Sequence, residues 1–130
     1  MSRHTLLIDA DDTLWENNVF FEQTIEDFIT QVEPLGYSRE YARRILNETE
    51  RRNIRQHGYG VRSFGRSLEE TYLKLAGHMA RREVVVHIKS MVDALERTPP
   101  RLLDGVPETL AFLSRRHRLI LFTKGQPAEQ

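Results

Sequence analysis

Cysteine, net charge and long apolar runs are all missing from this sequence, and each absence excludes a class of protein. Without cysteine there are no disulfide bonds, thiolate metal sites or cysteine nucleophiles. No apolar run approaches the roughly 20 residues that a membrane span needs, and the N-terminal "MSRHTLLIDADD" lacks the apolar stretch of a secretory signal. The 19 basic and 19 acidic residues balance, so no overall field favours nucleic acid or a membrane surface. These absences predict a cytoplasmic protein that binds neither nucleic acid nor membrane.

The apolar spacing in the first 96 residues predicts a strand followed by four helices. The strand is "TLLID" at 5–9, which we expect to be buried on both faces. A first helix begins near Val19, and Ser38 is the expected N-cap of a second helix that runs to about Gln56. We expect Ser67 to cap a third helix. The fourth segment, "EVVVHIKSMVDAL", starts like a strand, but its apolar residues recur at i, i+3, i+4 and i+7, which favours a helix.

The remaining residues predict a linker, a helix and a second strand. "RTPP" at 97–100 ends the helical block, "DGVPETLAFLSRR" carries a proline near its start as helices often do, and "RLILFT" is a second apolar strand. Both strands run into polar residues. Because ligands bind beyond the carboxyl ends of parallel strands in open α/β sheets, we expect the two polar ends to share one rim.

Three carboxylates crowd the end of the first strand, at Asp9, Asp11 and Asp12. Like charges this close repel, so a compensating group is expected. A hard divalent cation such as Mg²⁺, which takes oxygen ligands, is one such group. The other interpretation is a solvated acidic turn in which Asp12 or Thr13 caps the following helix. The pattern D-x-D-x-T does not by itself decide between the two.

Two motifs taken together resemble the haloacid dehalogenase-like superfamily. "LLIDADDTLW" is similar to its first signature, an apolar strand followed by D-x-D-x-T, and "RLILFTKG" is similar to its second, an apolar strand ending in Thr or Ser. The resemblance implies an α/β fold, mostly helical by content. It would have a Rossmann-like core at 1–15 and 101–130, with only the first two parallel strands present, and an all-helical C1-type cap at 16–100.

The resemblance also implies roles for individual residues. Asp9 would be the nucleophile that forms an aspartyl-phosphate, and Asp11 the general acid and base. Mg²⁺ would be held by the Asp9 carboxylate and the Asp11 backbone carbonyl, and backbone amides after Asp9 would help to cradle the phosphate. The candidate phosphate-binding residues are Asp12, Thr13, Thr123 and Lys124.

Asp11 indicates which reaction to expect within the superfamily. Dehalogenases need no acid for a halide leaving group and lack this second Asp, whereas an alkoxide leaves poorly without a proton. We therefore expect a phosphatase, and a helical cap favours a small phosphorylated metabolite as substrate. Tyr59, Arg62 and Arg66, in "HGYGVRSFGRS", are candidate specificity residues, although an ordinary interhelical loop is the alternative.

Some parts of the superfamily pattern are missing from this sequence. The family also uses a Lys and further acidic residues beyond the second strand, and the sequence stops seven residues after Thr123. We therefore expect the N-terminal part of a longer hydrolase, inactive alone and able to self-associate through its incomplete sheet. The alternative is a non-catalytic binding or interaction module derived from the same fold.

Overall fold

The computed structural model describes residues 2–124, which form a mostly helical α/β protein. They divide into two compact units: a strand unit, formed by 2–20 and Pro99–Lys124, and a helical unit, Phe21–Thr98. The elements in chain order are β1 (Thr5–Asp9), β2 (Trp15–Glu16), α1 (Asn18–Val32), α2 (Arg39–His57), α3 (Val61–Ala76), α4 (Arg82–Arg97), β3 (Arg101–Leu102), α5 (Val106–Ser114) and β4 (Arg118–Phe122). Within 2–124, every helix is too short or too polar to cross a lipid bilayer. The domain boundaries expected from the sequence stay a prediction, and 125–130 lie outside the described residues.

The centre of the strand unit is a parallel pair formed by β1 and β4. The register joins Thr5 to Arg118 at one end and Asp9 to Phe122 at the other. The two strands are far apart in sequence and run in the same direction, as the two apolar runs predict. The prediction of two neighbouring parallel strands is confirmed, and their carboxyl ends lie at the same edge.

The predicted burial of β1 on both faces is wrong. Leu6 and Ile8 are half-buried, whereas Leu7, on the opposite face, is 68% exposed. A parallel strand is buried on both faces only where a layer of structure covers each side of the sheet. The one helix that lies wholly within the described strand unit is α5, which contacts β4. A single helix covers one face, which leaves Leu7 on an open one.

A second, very short pairing was not predicted. β2 and β3 run antiparallel, with Trp15 opposite Leu102 and Glu16 opposite Arg101. Arg101 also forms an ion pair with Glu16, and its guanidinium lies 5.7 Å from the centre of the Phe20 ring. Two-residue strands carry no periodicity, so the sequence pattern alone does not reveal them. The pairing joins the segment that precedes the helical unit in sequence to the segment that follows it.

The helical unit is built around α3, which contacts both α2 and α4. The N-cap prediction for α2 is confirmed, because the Ser38 hydroxyl accepts a hydrogen bond from the Tyr41 amide at 3.1 Å. The predicted fourth helix is also confirmed, as α4. The fully buried apolar side chains of this unit come from all four of its helices and include Phe28, Val32, Leu46, Leu68, Tyr72 and Ile88.

The predicted start of the third helix is wrong. α3 begins at Val61, not after Ser67, and Ser67 is buried within the helix, where its hydroxyl donates to the Ser63 carbonyl at 3.1 Å. The glycines of "HGYGVRSFGRS" indicated a loop, but Gly65 lies inside α3. A glycine inside a helix costs about 1 kcal/mol relative to alanine. The buried stripe that begins at Val61 and Phe64 offsets that cost.

Candidate active site

The candidate site lies at the carboxyl edge of the β1–β4 pair. Asp9 is the last residue of β1 and is level with Phe122, the last residue of β4. Thr123 and Lys124 follow directly. Adjacent strands are about 4.8 Å apart. The structure therefore brings the predicted nucleophile and the predicted phosphate-binding segment to the same rim, in the place where parallel sheets bind ligands.

A single tight turn follows Asp9 and arranges the acidic cluster. The carbonyl of Ala10, a fully buried residue, accepts hydrogen bonds from the amides of Thr13 at 3.1 Å and Leu14 at 2.8 Å. The Asp12 amide donates to the Trp15 carbonyl at 2.8 Å. The amides of 12–14 are thus engaged within the turn. Any amide that the turn offers to a phosphate therefore precedes Asp12.

Asp9 is exposed, and its carboxylate is oriented by a neighbour in the turn. The hydroxyl of Thr13 donates to Oδ2 of Asp9 at 2.8 Å. This bond restrains the carboxylate through Oδ2. The sequence suggests Thr13 as a phosphate ligand. In the structure its hydroxyl is hydrogen-bonded to the predicted nucleophile.

Asp11 is half-buried and is bonded to the only tryptophan in the sequence. The indole N–H of Trp15 donates to Oδ1 of Asp11 at 3.0 Å. The sequence did not suggest this role for Trp15. Asp11 and Trp15 are four residues apart, a spacing that allows this contact. The spacing points to the contact only once the turn between the two residues is known.

Asp12 serves the start of α1. Its Oδ1 accepts hydrogen bonds from the amides of Asn17 and Asn18, both at 3.0 Å, and its Oδ2 accepts from Asn18 at 3.2 Å. Its backbone has φ of 60°, a left-handed conformation that Asp tolerates better than most residues. The sequence suggests Asp12 or Thr13 as the cap of the following helix, and Asp12 is the residue whose side chain bonds to the start of α1. Its side chain is engaged at the helix rather than at the rim.

The second predicted segment ends the described chain. Thr123 is half-buried and Lys124 is exposed. The Thr123 hydroxyl lies 3.4 Å from the Lys124 carbonyl, a long contact for a hydrogen bond.

The three candidate specificity residues belong to the helical unit. Tyr59 is 54% exposed between α2 and α3, and Arg62 is exposed in the first turn of α3. The Arg66 guanidinium lies 2.5 Å from Nε2 of His57. Their role in substrate selection stays a prediction.

The acidic residues of the rim match a magnesium site in kind but not in number. Carboxylate and carbonyl oxygens are the ligands that Mg²⁺ prefers, and Asp9 and Asp11 supply them. In the described part of the chain, no group of three or more His, Asp or Glu side chains could hold a metal ion. A cation at this rim would have to take its remaining ligands from water and a substrate phosphate.

The chain was compared with family models, curated proteins and solved structures. No family model matches the sequence, and no curated protein matches it. The structure is similar to the crystal structure of a haloacid dehalogenase-like family hydrolase from Xanthomonas campestris, with a TM-score of 0.89 and 26% sequence identity. The match covers 98% of this chain and 53% of that one, so this chain spans about half the length of the protein it resembles.

Proposed function

Because the chain has the fold of a haloacid dehalogenase-like hydrolase, we propose that it acts, alone or within a longer protein, as a phosphatase on a small phosphate monoester. The observation that carries the proposal is the rim itself. It presents an exposed carboxylate at the end of β1, a second carboxylate two residues later, and a hydroxyl directly after the end of the neighbouring strand. These groups could serve in the transfer of a phosphoryl group to an aspartate.

Asp9 would carry the covalent chemistry. Its Oδ1 attacks phosphorus in line as the bond to the leaving oxygen breaks, giving an aspartyl-phosphate on Asp9. A water then attacks the same phosphorus, releases inorganic phosphate and restores the carboxylate. Two displacements replace one difficult step, and the Thr13 hydroxyl on Oδ2 keeps the attacking oxygen in place.

Asp11 would move the protons. It gives a proton to the leaving oxygen in the first step and takes one from the attacking water in the second. An alkoxide is a poor leaving group without that proton, whereas a halide needs none. The position of Asp11 beside Asp9 therefore supports phosphate ester hydrolysis over dehalogenation.

We include Mg²⁺ in the proposal as the expected cofactor. The Asp9 carboxylate and the Asp11 backbone carbonyl would hold it, and when bound it would offset the negative charge of the phosphoryl group. Thr123 and Lys124 would contribute a hydroxyl and a positive charge to the same group. With so few protein ligands in the described residues, we expect weak affinity for the free ion.

The proposed substrate class rests on the resemblance to a capped hydrolase. In the superfamily that this chain resembles, a helical cap restricts access for bulky macromolecules. We therefore propose a small phosphorylated metabolite, and we keep Tyr59, Arg62 and Arg66 as candidates for recognising it. We propose a cytoplasmic location, where such metabolites are found.

The test is a screen of small phosphate monoesters with Mg²⁺, with Asp9→Asn as the control variant. An amide is a very poor nucleophile, so Asp9→Asn should abolish turnover while the near-isosteric change leaves the circular dichroism spectrum intact. Asp11→Asn should slow alkyl phosphates more than p-nitrophenyl phosphate, whose leaving group needs less protonation. Substantial Mg²⁺-dependent hydrolysis by Asp9→Asn would remove Asp9 from the nucleophile role.

We expect the 130-residue chain alone to hydrolyse p-nitrophenyl phosphate no faster than its Asp9→Asn variant. Charge stabilisation is usually the largest catalytic term, and losing one stabilising group typically costs about 10²–10³ in rate. Here the phosphoryl charge would be opposed by Asp9, Asp11 and Asp12, with few ligands for Mg²⁺ and Lys124 as the nearby cation in sequence. Activity well above that variant would show that the groups of this chain suffice.

A second candidate function, an interaction module, rests on the exposed apolar face of the strand unit. Leu7 is 68% exposed and Phe122 is 61% exposed on neighbouring parallel strands, and exposed apolar sheet surfaces favour association. We propose a second copy of the chain as the partner. Sedimentation of the wild type and of Leu7→Lys should distinguish the candidates, because a module of this kind would dimerise through Leu7 and show no phosphatase activity in any form.

A further inference from the structure

Both the backbone and the side chain of Trp15 form hydrogen bonds to the turn that carries the acidic cluster. The backbone carbonyl accepts from the Asp12 amide at 2.8 Å, and the indole N–H donates to Oδ1 of Asp11 at 3.0 Å. Both Trp15 and Asp11 are half-buried, where such a bond is stronger than in water. The side chain of Asp11 is therefore held by a rigid donor.

The position of Trp15 is itself fixed by the short β2–β3 pairing. Trp15 lies opposite Leu102, the Leu103 amide donates to the Leu14 carbonyl at 2.9 Å, and Glu16 forms an ion pair with Arg101. These bonds hold the backbone on both sides of Trp15 in sequence, at Leu14 and at Glu16. A donor supported in this way keeps its geometry better than one on a free loop.

We propose that Trp15 is the positioning residue for the proton-transfer group of this protein, and that its indole N–H determines which oxygen of Asp11 carries the proton. An oxygen that accepts the indole bond cannot also present an O–H toward that donor. The carbonyl oxygen of a protonated carboxyl group is the better acceptor, so the indole bond favours the proton on Oδ2. This inference rests on the proposed function, because it assigns Asp11 as the acid and base.

The proton balance is simple. In the first step the ester bond to phosphorus breaks with its electron pair on the leaving oxygen, and that oxygen takes the proton from Oδ2 of Asp11. In the second step Oδ2 takes a proton from the water whose oxygen attacks phosphorus. Oδ1 stays bonded to Trp15 throughout, so the carboxyl group keeps one orientation for both transfers.

The contact can be tested without any enzymatic activity, because Trp15 is the only tryptophan and gives a single indole N–H signal in the nitrogen-15 NMR spectrum of the 130-residue chain. Asp11→Ala should move the indole proton upfield, and Asp11→Asn, which keeps an oxygen acceptor but loses the charge, should move it less. Asp104→Ala, which removes an exposed carboxylate from the same unit, is the matched control and should leave the signal in place. An unchanged signal in both Asp11 variants would overturn the proposal.

The catalytic role is tested in a form that hydrolyses phosphate monoesters, either this chain or a longer protein that contains it. For Trp15→Phe we expect kcat for an alkyl phosphate to fall about tenfold, part of the ~10²–10⁴ of a general acid, with p-nitrophenyl phosphate within about twofold. KM for both substrates should stay unchanged. Benzothienylalanine, which replaces the N–H with sulfur and keeps the bicyclic shape, can be incorporated at this single position and should behave like Trp15→Phe.

The outcomes separate this proposal from the one on which it rests. Equal losses for the two substrates, or a change confined to KM, would overturn the positioning role and leave the phosphatase proposal standing. A benzothienylalanine protein with wild-type rates would also overturn it, because only the N–H is then missing. Absence of phosphatase activity in every form of the protein would overturn both proposals, even if the NMR contact is found.

Discussion

The hydroxyl of Thr13 donates a hydrogen bond to Oδ2 of Asp9 at 2.8 Å, so the fifth residue of D-x-D-x-T is bonded to the first. The bond spans one turn of chain that is closed by the Ala10 carbonyl. The bond orients the predicted nucleophile in the absence of substrate. The role of the threonine in this motif is therefore to position the carboxylate of Asp9.

We expect Thr13→Val to lower kcat by about tenfold to a hundredfold, because a hydrogen bond to a charged group contributes about 1.5–3 kcal/mol and about 1.36 kcal/mol corresponds to a factor of ten. Thr13→Ser keeps the hydroxyl and should retain most of the activity. The measurement is steady-state hydrolysis of p-nitrophenyl phosphate in an active form of the protein. Similar losses in both variants would show that the methyl group, rather than the hydroxyl, is what matters.

Asp12 should matter for stability. Its carboxylate accepts the amides of Asn17 and Asn18 at the start of α1, so Asp12→Ala should lower the free energy of unfolding by about 1 kcal/mol, the usual cost of losing a cap. Asp12→Asn keeps an acceptor oxygen and tolerates the φ of 60°, so it should lose much less. Urea unfolding of the two variants checks this, and an equal loss would contradict the capping role.

Gly65 should resist replacement by alanine even though it lies within a helix. A methyl group at this position would lie 2.8 Å from Cγ1 and 3.1 Å from Cγ2 of Val92 on α4. We therefore expect Gly65→Ala to destabilise the helical unit by about 1–3 kcal/mol, as overpacking does, against the gain of about 1 kcal/mol that helix propensity alone would give.

The matched test for Gly65 is a double-mutant cycle with Val92→Ala. Removing the two Cγ atoms creates the space that the new methyl group needs, so the double variant should be more stable than the sum of the single effects implies. Thermal and urea unfolding of the four proteins give the coupling energy. Strict additivity would show that the two helices move apart without cost.

Glu50 should make stability depend on pH. Burial raises the pKa of its carboxyl above 4.5, an effect that Arg43 partly offsets and Glu22 reinforces. Oε1 has no hydrogen-bond partner among residues 2–124. Between the unfolded and the raised folded pKa the folded chain binds more protons, so stability falls as pH rises through this window.

The consequence for Glu50→Gln follows from that sign. At pH 7 the variant should be more stable than the wild type, because it avoids a buried charge. The difference should shrink as pH falls from the raised folded-state pKa to the unfolded-state pKa, and it should vanish below the latter, where Glu50 is neutral in both states. Urea unfolding at a series of pH values from 7 to about 4 gives the comparison, and a difference that stays constant with pH would contradict the assignment.

The sequence determined those features that depend on local patterns and on combined motifs. Two apolar runs ending in polar residues predicted the parallel pair, and Ser38 predicted the start of α2, because caps and periodic apolar stripes act over only a few residues. The two signatures together predicted a fold that the similarity to a known hydrolase confirms. Asp9 and Thr123 could be assigned to one rim because parallel strands align their carboxyl ends.

Only the tertiary structure decided the partners of individual side chains. Thr13 bonds to Asp9, Trp15 to Asp11 and Asp12 to the start of α1, and nothing in residue type distinguishes these choices. Gly65 indicated a loop by its type but lies inside α3, because the buried stripe and the close approach of α4 outweigh local propensity. Local conformational preferences amount to about 1 kcal/mol per residue, and packing between distant segments contributes on the same scale. Where local preference and packing agree, the sequence pattern predicts the element; where they conflict, the tertiary structure decides.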